Sequence, residues 1–195
     1  MLADSVIVAA EELLIGKGTL SVAGLARRAG VGVASIYDYF SDKAGVMDAV
    51  VDRLTARNFE VLAAELDAHA HLSPHELVDV ITERVVETYL DPERSRLMTR
   101  VAILVIRRSD PKVHLEYLGK MAERLSRRAR EAWPTLTVEE ANAALAGVCD
   151  FTIGVVLMQL LRGTYDAQQT QAMLRRAAVA ELDVLAAMHA QRSAS

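Results

Sequence analysis

Between Leu20 and Lys43 the chain must reverse direction within three residues, and that requirement limits the fold more than any other feature of the sequence. The stretch reads LSVAGLARRAGVGVASIYDYFSDK. Ser21 is suited to cap a helix whose apolar residues Val22, Leu25 and Ala26 recur at helical spacing and stop at Gly30. A glycine there accepts the left-handed backbone that lets Gly30, Val31 and Gly32 turn the chain. A second helix can start at once. In it Ile36 and Phe40, four residues apart, face inward, and Val33, Ala34, Tyr37 and Asp38 face out. The unit is a helix-turn-helix.

The ordered run Leu25-Ala26, Ala29-Gly30-Val31, Ile36-Tyr37, Tyr39-Phe40 and Lys43, after a small hydroxyl residue, resembles the TetR family of one-component transcriptional regulators. The resemblance implies an all-α chain of about nine helices: a three-helix DNA-binding head with the helix-turn-helix over residues 1 to 48, and a helical ligand-binding and dimerisation body over 49 to 195. It implies DNA contacts from Ser21, Arg27, Arg28, Val33, Ala34, Ser35, Tyr37, Asp38, Tyr39 and Lys43. The partners implied are a double-stranded, palindromic DNA operator, a second copy of the chain, and a small apolar or amphipathic effector that releases the DNA. A helical dimer that has lost specific DNA binding is the alternative.

Charge gives that reading no help. The net charge is −4, whereas nucleic-acid binders usually present a basic surface. Residues 1 to 53 carry five bases against seven acids. What speaks for DNA is placement, since Arg27, Arg28 and Lys43 lie in or beside the bihelical unit. Six such cations in a dimer set a salt slope no steeper than about −5. Asp38 is a departure, because the family more often carries an aromatic, basic or amide group there. It repels phosphate and suits the cytosine amino group in the major groove.

The other segments read as helices. Residues 4 to 15 form a bracing helix closed by Gly16-Lys17-Gly18, and Ser41 is suited to cap a fourth helix running toward His69. Ser73-Pro74-His75-Glu76 and Thr137 with Glu140 are capping boxes. Further helices cover about 93 to 108 and Pro111 to before Trp133, with breaks at Asp91-Pro92 and Ser109-Asp110-Pro111. A very apolar helix over about 138 to 162 ends at Gly163, Asp166 with Gln169 opens the last helix, and residues 191 to 195 fray.

The last two helices carry more apolar surface than one protomer needs, so a dimer face is expected at Val148, Thr152, Val155, Leu174, Ala178, Leu182 and Leu185. The resemblance implies a four-helix bundle there. Bulky adaptable residues Tyr89, Met98, Tyr117, Met121, Phe151 and Met158, with Trp133, are candidates for an apolar pocket. His69, His71 and His75 have a spacing that can hold a metal, but with no cysteine beside them they read as a solvated turn, so no metal and no cofactor are expected. Glu11-Glu12 and Glu139-Glu140 point different ways on their helices. Cys149, the one cysteine, reads as a small core residue and excludes an internal disulfide. With no nucleophile and base pair or phosphate loop, no enzyme is expected. Residues 94 to 130 hold eleven of the 22 bases against three acids and read as a solvated cationic face rather than an anion entrance. The run 151 to 161 is too short to span a bilayer and the start lacks a basic leader, so no membrane and a cytoplasmic location are expected.

Overall fold

A computed structural model describes residues 2–15, 20–91, 95–107, 112–163 and 166–195. Among them are nine helices and no strand: α1 (Leu2–Ile15), α2 (Val22–Ala29), α3 (Val33–Tyr37), α4 (Lys43–Ala68), α5 (Pro74–Leu90), α6 (Ser95–Arg107), α7 (Lys112–Ala132), α8 (Val138–Arg162) and α9 (Ala167–Ser193). The expected breaks at Gly16-Lys17-Gly18, Pro92 and Ser109-Asp110-Pro111 lie outside the described residues.

Local chemistry sets most boundaries. Both capping boxes are formed, with Ser73 and Glu76 opening α5 and Thr137 and Glu140 opening α8. Asp166 caps α9. At α4 the cap is Asp42, whose Oδ1 accepts from the Gly45 N–H at 2.8 Å, and not Ser41. A carboxylate is the stronger acceptor for a helix start and complements its dipole. Nor does the C-terminus fray where expected. Arg192 donates to both Glu140 oxygens, at 2.8 and 2.5 Å, and to the Thr135 carbonyl, so α9 continues to Ser193 tied to the start of α8.

That tie has a pH signature. The Arg192 guanidinium, then the Thr137 N–H, hold the Glu140 carboxyl down to about 2 from 4.5. A depressed carboxyl stabilises the fold above its unfolded value and loses that contribution as pH falls from 4.5 toward 2. In Arg192→Ala the Glu140 carboxyl should titrate closer to 4.5, read by NMR, with the last turn of α9 exchanging its amides faster. An unmoved titration would mean that the Thr137 cap alone sets it.

One apolar cluster runs from the N-terminal helices into the body, through Val6, Leu14, Leu25, Ile36, Val50, Leu54, Leu66, Leu97 and Leu160. A second joins α5, α7, α8 and α9 through Val78, Ala129, Leu145, Ala178, Leu182 and Leu185. α4 carries the backbone past residue 48 without a break. Polar links fasten α1 to α4 and α6: buried Glu11 lies 3.5 Å from both Arg53 and Arg57 of α4, and Arg100 of α6 donates to the Leu14 carbonyl at 3.2 Å.

α8, at 25 residues, is long and apolar enough to cross a membrane by length and composition, which corrects the expectation that its apolar run is too short. Packing on α6, α7 and α9 accounts for part of that character, with Ala141, Leu145, Cys149, Val156 and Leu160 buried. The basic stretch is partly consumed by structure. Arg124 pairs with Asp67 at 3.1 Å, Lys120 with Glu116 at 2.7 Å, and Arg128 binds Glu131 and the Ala70 and Leu72 carbonyls beyond the end of α4.

Candidate nucleic-acid interface and body cavity

α2 begins where Ser21 Oγ accepts from the Gly24 N–H at 3.1 Å, and a Cβ at Gly24 would sit 3.0 Å from that oxygen, close enough that the Ser21 hydroxyl would have to shift. α2 ends at Gly30, φ +69°, where the chain turns back toward the Ala26 carbonyl. Few side chains adopt that conformation cheaply. α3 begins three residues later, and Ile36, 1% exposed, pins it to the core while Phe40 packs alongside.

Pinning Ile36 turns the rest of the motif outward. Val33, Ala34, Tyr37 and Tyr39 are exposed, and Ser35 is half-buried. Asp38 is exposed but caps the C-terminal end of α3, so it stands past the helix rather than on its outer face. Arg27 and Lys43 are exposed, and among the described residues neither forms an ion pair. Arg28 does: its Nε lies 2.6 Å from Glu12 Oε2 of α1. Lys43 sits next to the Asp42 carboxylate that already occupies the start of α4.

The Arg28–Glu12 pair changes the expected salt dependence. With Arg28 held, a dimer has four free cations, for a slope of about −3.6. Glu12→Gln should release Arg28 and steepen the slope by about 1.8, measured by fluorescence anisotropy from low to high salt. An unchanged slope would mean that Arg28 reaches phosphate with Glu12 present, or never reaches it.

In the body, two adjoining apolar cavities of about 130 and 250 Å³ share the walls Tyr89, Leu118, Ile153 and Val156. Of the pocket candidates, Tyr89 lines both, Met121 the first and Met98 the second. The Tyr89 hydroxyl bonds to buried Asn58, and burial raises its pKa against the pull of that bond. The remaining candidates are not on the walls of these two cavities. Tyr117 packs tilted against Phe59, ring centres 5.1 Å apart, Trp133 lies against His75 at 5.8 Å, and Phe151 and Met158 face outward at 43% and 49% exposure. Much of the wall is aliphatic, such as Ile81, Val85 and Leu125, which a sequence cannot tell from ordinary core. Cys149 is also on the wall, its thiol pushed up to about 12 by burial and then by Asp150.

The residues expected at a dimer face have places in the single protomer. Leu174, Ala178, Leu182 and Leu185 are buried in the protomer's own core, because α5 and α7 supply the partners for that stripe. Val148 and Thr152 line the first cavity, and Val155 packs against the main cluster. The outward large apolar groups of these helices are Val138, Phe151, Met158 and Leu161 of α8 and Val184 of α9. Of the three histidines, His69 bonds the Glu65 carbonyl, His71 stacks beside it at 6.3 Å, and His75 turns to Asp183 at 2.9 Å.

With this geometry in view, the family model for bacterial regulatory proteins of the tetR family matches residues 6–50, the span from α1 through the helix-turn-helix into α4. The head belongs to the TetR family. No curated protein matches the chain. Solved structures resemble it over nearly its whole length. A TetR transcriptional regulator from Rhodococcus sp. RHA1 is 22% identical over 93% of both chains, with a TM-score of 0.62. A transcriptional regulator from Cytophaga hutchinsonii is 15% identical, covering 92% of this chain and 96% of its own, with a TM-score of 0.68. A multidrug binding protein, EbrR, solved with imidazole, is 24% identical over 91% and 94%, with a TM-score of 0.62. The body thus completes a TetR-family regulator fold behind the TetR-family head.

Proposed function

We propose that this chain is a ligand-responsive transcriptional repressor of the cytoplasm, without enzymatic activity, that binds a palindromic operator as a homodimer and leaves it when a small apolar or amphipathic effector fills the body. The division into a head of residues 1 to 48 and a body of 49 to 195 is part of this reading. The observation that carries it is the outward set Val33, Ala34, Tyr37 and Tyr39 around buried Ile36, on a TetR-family head. Arg27, Lys43 and the tyrosine hydroxyls supply phosphate contacts, joined by Arg28 when Glu12 releases it and by the Ser35 and Ser21 hydroxyls at the rim. The apolar cavities support an effector site. α6 lines the second cavity with Met98 and Val101 and reaches α1 through Arg100, which gives an effector a route to bias the head. Exposed Phe151, Met158, Leu161 and Val184 support a dimer face on α8 and α9.

Asp38, Asp42 and the Glu12–Arg28 pair favour a second reading, a helical dimer that has lost specific DNA binding. Selection of binding sites from random duplex DNA separates the two, since the second reading enriches nothing. On an enriched site, Asp38→Ala should relax preference at one position per half-site by roughly 1–3 kcal/mol if Asp38 accepts from cytosine. If Asp38 only repels phosphate, Asp38→Asn tightens binding to every sequence. Should neither variant alter affinity or preference, Asp38 lies off the DNA.

A further inference from the structure

We infer that the second cavity takes a lipophilic monocation, its ammonium or related head at the Asp150 carboxylate and its apolar tail running inward along Ile153 and Leu157. This rests on the reading of the cavities as the effector site. Among the described lining residues, Asp150 and Leu115 are the two exposed ones, so they mark the mouth between α7 and α8, while Met98, Val156 and Leu160 lie buried behind them. Asp150 is the one carboxylate on the described walls of either cavity, and it forms no ion pair among the described residues. It interrupts the long apolar helix α8, between Glu140 and Arg162.

The one described cation on the walls, Arg128 at the far side of the first cavity, is paired with the Glu131 carboxylate and donates to the Ala70 and Leu72 carbonyls, with its Nε unpartnered. Cys149 stays a neutral thiol. The uncompensated charge facing the cavities is therefore negative, and low-dielectric walls behind it strengthen its pull on a cation and its rejection of an anion. Thr55, Asn58 and Tyr89 add only neutral polar groups. An apolar tail is required as well, because an exposed ion pair by itself contributes little.

The test is calorimetric titration of the full chain with decyltrimethylammonium, decanol and decanoate, all below micelle formation. The expected order is the cation about threefold to fivefold tighter than the alcohol and the carboxylate weakest, with the cation's advantage shrinking in high salt. Asp150→Asn should bring the cation level with decanol while decanol binding, which also reports that the variant is folded, stays unchanged. Equal binding of cation and alcohol by the native chain, a preference that survives Asp150→Asn, or decanoate binding tightest would each overturn the inference and leave the effector-site reading standing. Should Asp150→Asn not fold, the native order and its salt dependence decide. Binding by none of the three overturns both.

Discussion

A chain carrying Phe151→Glu and Met158→Glu is expected to sediment as a folded monomer, and its operator affinity should fall at least about a hundredfold, since one protomer grips only half a palindrome. Both side chains are substantially exposed, on the side of α8 away from Leu145, Cys149 and Val156, so the substitutions leave the protomer's core intact. In a two-fold interface each appears twice, placing four carboxylates in a contact that excludes water. An unpaired charge there costs several kcal/mol, enough to separate most dimers. Leu182→Glu serves as the contrast. Leu182 is 4% exposed inside the α5, α7, α8 and α9 cluster, so this variant should unfold the body rather than yield a monomer. A stable dimer in the double variant would move the interface elsewhere.

The second large effect belongs to the head. Ile36→Ala should cost about 2–5 kcal/mol, the range for emptying a buried aliphatic site that cannot fully collapse. α3 is five residues long and holds its place through that side chain, so the loss falls on the helix-turn-helix. DNA binding should disappear while the body stays folded and paired, as read by amide exchange in α2 and α3 against α8 and α9. Val33→Ala, exposed on the same helix, should change stability by less than about 0.5 kcal/mol. Wild-type affinity in Ile36→Ala would mean that α3 does not present the recognition surface.

The contrast between these two regions mirrors what a sequence can and cannot reveal. Ser21, Gly30, Ser73 with Glu76 and Thr137 with Glu140 act on backbone a few residues away, so their roles are visible in the local order of residues. Ile36 and Phe40 are legible for the same reason. The pairing of Arg28 with Glu12 sixteen residues earlier depends on how α1 lies across α2, and no local pattern encodes it. For α9 the spacing of Leu174, Ala178, Leu182 and Leu185 shows a buried stripe but not what buries it, and α5 and α7 turn out to do so. α8 is apolar on several sides, which leaves cavity wall, core and outer face indistinguishable until its neighbours are in place. That is why Val148 and Thr152 fall on the cavity and Phe151 and Met158 on the surface.

The coupling of body to operator is tested by sedimentation of the chain on an operator selected from random DNA, with and without a compound that binds the cavities. Two chains should occupy one inverted repeat, and saturating compound should lower that affinity at least about tenfold, with the operator weakening the compound's binding by the same factor. One chain per site, or an operator affinity that saturating compound leaves untouched, would contradict it.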